Sequence, residues 1–366
     1  MDATTKLHAL GQSLWLDNIT RGLLSSGTLR HYIDEYSVTG LTSNPTIFDQ
    51  AIKNSPDYDA SIRHKAAEGK SGETLFFEVA IDDLRQAADM FRPIFDATGG
   101  VDGWASLELS PLLASDTAGS TRAAVALHAQ TERPNIFIKI PGTAEGIPAI
   151  EAAIFAGVPV NVTLLFSREQ YLAAAHAYVR GIERRIASGL DPRIASVASL
   201  FVSRWDAAVK DKVPPALRNR LGIAIAMRTY NAYRDLLASS RWQALARAGA
   251  HPQRMLWAST GTKDPAASES LYVEALAAPD TINTMPEKTL LAFAASGAAG
   301  RTMAVDVGDA ERVMAEFARA GVDIDALAQN LQRDGAAAFA KSWAELMARI
   351  AQKTEAQPRA GAFTDA

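Results

Sequence analysis

Short apolar runs alternate with helical stretches along most of the chain, and a polypeptide with that rhythm has few ways to bury its apolar faces. Eight runs read as strands: Leu14–Ile19, Gly40–Asn44, Trp104–Leu109, Asn135–Ile140, Val158–Leu164, Val197–Ser203, Arg254–Ser259 and Thr281–Met285. Helical spacing occupies the intervals, including Gly72–Phe95, Ala144–Phe155, Arg168–Ser188, Pro215–Ala248 and Ala266–Ala277, and Asp309–Gln352 adds two or three further helical pieces. Strands alternating with helices predict a parallel sheet wrapped by helices, and eight such units predict closure. The expected fold is α/β, a (β/α)8 TIM barrel with additional helices. The competing open sheet usually carries a glycine-rich phosphate turn after its first strand. Here Thr20-Arg21-Gly22-Leu23 follows instead. The long gap after the second strand accommodates two helices, Tyr58–Glu68 and Gly72–Phe95. No linker divides the chain, so residues 1–352 read as one domain. Residues 353–366, small and polar with Pro and Gly, read as a mobile tail.

Composition narrows the possible partners. Apolar residues make up 48% of the 366, enough for a large core. A net charge of −4 offers no attraction to nucleic acid or to an anionic membrane. No run approaches the length of a membrane span, and the N-terminus lacks the pattern of a signal peptide. A cytoplasmic protein is expected. The absence of cysteine excludes disulfides, thiolate metal sites and a cysteine nucleophile. The six histidines show no metal-ligand spacing, so no metal is expected. Asp82-Asp83 reads as a solvated helix face.

Strand alternation then sorts the side chains. In Asn135-Ile136-Phe137-Ile138-Lys139-Ile140 the isoleucines share one face and would pack on helices. Asn135, Phe137 and Lys139 share the other, the barrel interior. Lys139 lies near the C-terminal end of its strand, where barrel active sites sit. Burial there disfavours the ammonium and favours a neutral, nucleophilic amine. The same alternation turns Asp17, Glu108, Asn161 and Thr163 inward, and Asn44 stands near the end of its strand. Inward polar groups are costly without partners, so a set of them marks a site.

The set suits imine chemistry. The amine attacks a ketone, and a carboxylate with a hydroxyl moves protons through the carbinolamine. The protonated imine withdraws electrons from the neighbouring carbon–carbon bond. A second carboxylate takes the proton from the hydroxyl beyond that bond. Each such proton transfer contributes about 10²–10⁴-fold. Plainer readings compete: Asp17 as a cap for a following helix, Glu108 paired with Arg122, Arg204 paired with Asp206 or Glu183, and Asn161, Thr163 and Ser199 as barrel filling.

The stretches TGLTSNPTIF (Thr39–Phe48), NIFIKIPGT (Asn135–Thr143), PVNVTLLFS (Pro159–Ser167) and LFVSRWD (Leu200–Asp206) resemble the motifs of the transaldolase family. WASTGTKDP (Trp257–Pro265) and INTMPEKTL (Ile282–Leu290) resemble its longer-chain bacterial branch. The resemblance implies that Lys139 is the Schiff-base lysine and Asp17 the carboxylate that accepts the hydroxyl proton during cleavage. It implies that Glu108 works through a catalytic water held by Thr163, and that Asn44 and Asn161 bind hydroxyls of the dihydroxyacetone portion. Ser199 and Arg204 match residues around the substrate phosphate, and Phe201 matches an aromatic that is tyrosine in plain aldolases. Shorter-chain members place an arginine for phosphate after the seventh strand; here Lys263 is the only cation in that turn.

The implied activity is reversible transfer of a dihydroxyacetone unit between sugar phosphates, in the non-oxidative pentose phosphate pathway, without a cofactor. A fructose-6-phosphate aldolase using the same imine, and a non-catalytic sugar-phosphate-binding barrel, are the alternatives. Nothing in the sequence specifies the oligomeric state.

Overall fold

A computed structural model describes residues 2–298, 302–303 and 307–355. Eight strands form one sheet: β1 (Gln12–Leu16), β2 (Val38–Leu41), β3 (Ala105–Glu108), β4 (Ile136–Pro141), β5 (Val160–Leu165), β6 (Ser196–Phe201), β7 (Gln253–Ala258) and β8 (Thr281–Met285). Their order is β2-β1-β8-β7-β6-β5-β4-β3, with every ladder parallel. A single parallel bridge, Gly40 to Trp104, joins the two ends of that order and closes the barrel. Leu41 N donates to Trp104 O at 2.9 Å, and Gly103 N donates to Thr39 O at 3.0 Å, one on each side of the bridge. The expected (β/α)8 architecture is the one observed.

Closure depends on the absence of a side chain at Gly40. A Cβ there would lie 2.7 Å from Trp104 O and 2.7 Å from the Trp15 indole. Both neighbours are buried inside the barrel and cannot yield without displacing the core. Gly40→Ala is expected to lower stability by about 1–3 kcal/mol, the range of overpacked cores. Urea denaturation checks this: the midpoint should fall while the slope stays constant.

The lower interior is filled before the site begins. Arg254 donates to Ser13 Oγ at 2.8 Å, Ser13 bonds Asp102, and Trp15 Nε1 donates to Asp102 Oδ1 at 2.8 Å. Above this polar plug, Trp104 stacks on Phe137 at 4.0 Å, and Trp15 lies 6.1 Å from Phe137. These rings make an apolar floor beneath Lys139, which is two residues further along β4.

Several expected elements shift. β1 ends at Leu16 and β2 at Leu41, so Asp17 and Asn44 stand on loops rather than at strand ends. Asn44 instead caps the Pro45–Asn54 helix, a third helix in the gap between β2 and β3, by accepting from Ile47 N at 3.0 Å. The expected Pro215–Ala248 helix breaks into Leu221–Ala238 and Ser240–Arg247. Ser239 leaves the helical conformation there to cap the second piece through Trp242 N. Ala266–Ala277 shrinks to Leu271–Ala275. Before it, Asp264 and Ser268 bond the backbone N–H groups two residues on, holding turns where helix was expected.

Asp83 corrects the reading of Asp82-Asp83 as a solvated face. Asp82 pairs with Lys65 at 3.1 Å at the surface, but Asp83 is fully buried and takes Arg21 Nε at 2.8 Å. Burial raises the Asp83 pKa despite that guanidinium. The chain continues through helices at Val307–Arg319 and Ile324–Glu355. Helix therefore occupies the first residues of the expected tail, where Lys353 pairs with Asp59; residues 356–366 lie outside the described residues. No helix among the described residues is long and apolar enough to cross a membrane.

Candidate active site

Lys139 points into the barrel and is 5% exposed. Its Nζ donates to Glu108 Oε2 at 2.8 Å and to the Ser43 carbonyl at 2.8 Å. Neighbouring register makes the first contact inevitable, because Glu108 on β3 is the Cα partner of Lys139 on β4. The second comes from the loop after β2, which Ser43 Oγ anchors by donating to Ser106 O at 2.7 Å. Glu108 is buried as deeply, and that burial raises its pKa although Lys139 acts in the opposite direction. A carboxylate with high proton affinity, bonded to an amine, is placed to take up the ammonium proton.

Asp17 enters from the opposite side of the mouth. Thr42 Oγ1 lies 2.8 Å from both Asp17 Oδ1 and Thr284 Oγ1, so one bridging hydroxyl ties three loops and strands together. Desolvation raises the Asp17 pKa, opposed by Lys139, the Thr42 hydrogen bond, Lys263 and Arg204 in that order. Asp17 is not a helix cap; Thr20 caps the Arg21–Ser25 helix.

β5 and β6 complete the polar wall. Asn161 donates to Ser106 Oγ at 3.2 Å and accepts from Ser199 Oγ at 2.7 Å. The β5–β6 register shifts between Val162 and Leu165, and Leu164 adopts a left-handed φ of 59°. Such a bulge re-aims adjacent side chains. Thr163, on that bulge, lines the pocket, and its buried Oγ1 has no hydrogen-bond partner among the described residues. Ser259, just past β7, lines the same pocket with a φ of 55°. Leu164 and Ser259 thus adopt left-handed backbone at or just past strand ends beside the pocket.

The outer end of the pocket is cationic. Arg204 follows β6 on the Ser203–Val209 helix and makes no hydrogen bond or ion pair with the described residues. Its guanidinium lies 5.1 Å from the Phe201 ring and 5.9 Å from the Phe339 ring. Desolvation lowers its pKa, with Glu108 and Asp17 pulling the other way. Lys263 faces the same end from the loop after β7. Lys139, Arg204 and Lys263 thus share with Asp17 one cavity of about 110 Å³ that opens to solvent.

The structure brings the sequence-derived residues to one place. Asp17, Asn44, Lys139, Thr163, Ser199, Phe201, Arg204 and Lys263 line the pocket. Glu108 and Asn161 stand directly behind the lining, bonded to Lys139 and Ser199. The competing pairings fail: Glu108 bonds Lys139 rather than Arg122, and Arg204 meets neither Asp206 nor Glu183. Asp206 accepts instead from Leu221 N, Gly222 N and Tyr272 OH. Sequence reasoning missed Thr42, Thr284, Phe339 and the Ser43 carbonyl. Alternation along Thr281–Met285 could have exposed Thr284. Phe339, on a helix remote in sequence, gave no local signal.

Comparison with known proteins places the chain in a family. A family model described as Transaldolase/Fructose-6-phosphate aldolase matches residues 14–350. A protein of Saccharopolyspora erythraea named Transaldolase is 43% identical over 97% of this chain and 99% of its own length. One of the same name from Thermobifida fusca is 44% identical over 96% and 98%. Another from Thiobacillus denitrificans is 43% identical over 96% and 100%. A barrel with a lysine buried between two carboxylates, matched over nearly its whole length by this one family model, belongs to the transaldolase/fructose-6-phosphate aldolase family.

Proposed function

We propose that this barrel transfers a dihydroxyacetone unit reversibly from a ketose phosphate to an aldose phosphate through an imine on Lys139. The observation that carries the reading is the buried Lys139–Glu108 pair with Asp17 across the mouth. Glu108 takes the ammonium proton, and the freed amine adds to the ketone carbon. A proton passes from the added nitrogen to the oxygen, Glu108 returns its own proton to the hydroxyl so formed, by way of a water positioned by Thr163, and water leaves to give the protonated imine. Asp17 removes the proton from the hydroxyl on the far carbon of the bond to be broken. That bond cleaves, its electrons pass into the imine, and an aldehyde departs from an enamine held on Lys139. A second aldehyde accepts the enamine, Asp17 returns the proton, and hydrolysis frees the amine.

The remaining residues hold the substrate. The Asn44 and Asn161 amides bind hydroxyls of the retained three-carbon unit, and Arg204, Ser199 and Lys263 bind the phosphate. Arginine supplies a two-pronged contact, and lysine a point charge. The apolar floor of Trp15, Phe137 and Trp104 keeps bulk water from the enamine. The donors would be sedoheptulose 7-phosphate or fructose 6-phosphate, and the acceptors glyceraldehyde 3-phosphate or erythrose 4-phosphate. The relatives' shared name, Transaldolase, supports transfer over release.

Product analysis tests this. With fructose 6-phosphate and erythrose 4-phosphate together, sedoheptulose 7-phosphate should form in step with glyceraldehyde 3-phosphate. With fructose 6-phosphate alone, free dihydroxyacetone should accumulate far more slowly. Equal release with and without the acceptor would identify a plain aldolase, and no turnover or borohydride-trapped adduct would identify a binding protein.

A further inference from the structure

The Ile324–Glu355 helix crosses the mouth of the barrel, and three of its residues at helical spacing face the rim. Gln332 Nε2 donates to Gly142 O at 2.9 Å and to Leu164 O at 3.0 Å, the carbonyls just past β4 and on the β5 bulge. At Gly335 the helix comes so near that an added Cβ would lie 2.9 Å from Leu164 Cδ2 and 3.1 Å from Arg204 Nη1. Phe339 lines the pocket and meets Arg204 on its ring. Further along, Trp343 Nε1 donates to Glu73 Oε1 at 2.9 Å, and Arg349 pairs with Asp49 at 2.8 Å. The helix is therefore pinned on both sides of the point where it touches Arg204.

Arg204 needs such support. A long guanidinium side chain with no hydrogen bond or ion pair is free to swing, and Asp17 and Glu108 attract it from across the pocket. Binding an oxyanion with a mobile arginine costs the entropy of ordering it. Contact with the rings of Phe201 and Phe339 restrains the guanidinium, whose N–H groups have no hydrogen-bond partner among the described residues. We propose that Phe339 and Gly335 are positioning residues. Through them the helix holds Arg204 with its N–H edge toward the substrate phosphate, and so sets the preference for phosphorylated over unphosphorylated ketoses. This rests on the reading of the site as one for sugar phosphates, but not on the imine chemistry.

Inorganic phosphate, titrated calorimetrically, is the direct probe. Phe339→Leu should weaken phosphate binding roughly tenfold, the size of one desolvated cation–π contact, and Phe339→Tyr should restore it. The ratio of kcat/KM for fructose 6-phosphate to that for fructose should fall by a similar factor, with the change in KM rather than kcat. Gly335→Ala, which crowds Arg204 Nη1, should move both readouts the same way and stands in if Phe339→Leu does not fold. Unaltered phosphate affinity in folded Phe339→Leu or Gly335→Ala would overturn the proposal. So would an equal loss with fructose and fructose 6-phosphate, or a wild-type protein that binds no phosphate. Failure of the imine reading would show separately, as an absence of borohydride-trapped adduct at Lys139 in wild-type protein.

Discussion

Lys139→Ala should abolish borohydride capture of fructose 6-phosphate and lower kcat on the order of 10⁶-fold, the scale seen when a covalent nucleophile is lost. That corresponds to roughly 8 kcal/mol of transition-state stabilisation. No other amine can substitute, because Arg204 is not a nucleophile and Lys263 lies at the exposed outer end of the pocket. The barrel itself should survive. Deleting one partner of a buried pair is usually severe because a charge is stranded. Here the stranded group is Glu108, whose pKa burial already raises, so it can take up a proton instead. The sign of the pH dependence follows. A carboxyl that binds its proton more tightly folded than unfolded favours the fold fully below its unfolded pKa. That contribution is lost as pH rises through the folded value. With the opposing Lys139 removed, the variant should lose stability relative to wild type as pH increases. Peptide mapping and denaturation at several pH values check both halves. Labelling at a different residue would remove the basis of the proposed reaction.

Asp17→Asn should separate the two carboxylate roles. The substitution preserves volume and leaves an oxygen to accept from Thr42 Oγ1, so the loop geometry is retained. Imine formation depends on Glu108 and should continue, with Lys139 still trapped by borohydride. Bond cleavage loses its base, and kcat should fall about 10²–10⁴-fold. Wild-type enzyme should also lose activity on acidification at a higher pH than an ordinary aspartate would dictate. Asp17 must be ionised to act, and desolvation raises its pKa. In Asp17→Asn that acidic limb should disappear from the residual rate. A variant that cleaves normally, or that cannot form the imine, would assign Asp17 another role.

Much of this was legible because strand periodicity is local. Alternation alone put Lys139 and the isoleucines Ile136, Ile138 and Ile140 on opposite faces of β4, and the eight-fold repeat of strand and helix was readable without a partner in space. The family motifs named the residues that line the pocket for the same reason: each sits within a few positions of a strand end. Asn44 shows the limit. Its place beside the site was expected, but its role as the cap of Pro45–Asn54 depends on where β2 stops, and strand ends are not encoded by alternation.

What local pattern could not specify were contacts between segments distant in the chain. Asp83 looked solvated as one of two adjacent acids, yet Arg21 reaches it across the fold and pairs with it in the interior. The Ser43 carbonyl that holds Lys139 belongs to the backbone and carries no residue-type signal. Phe339 lies 200 residues from Lys139, and no periodicity links them. Thus the chain's rhythm indicated eight strands, their faces and the inward position of Lys139. Closure through Gly40, the bulge at Leu164 and the helix laid against Arg204 arose only when the segments packed. The reason is that alternation records which side of a strand is apolar, whereas the proton affinity of a carboxylate and the pose of an arginine depend on which distant atoms exclude water from them.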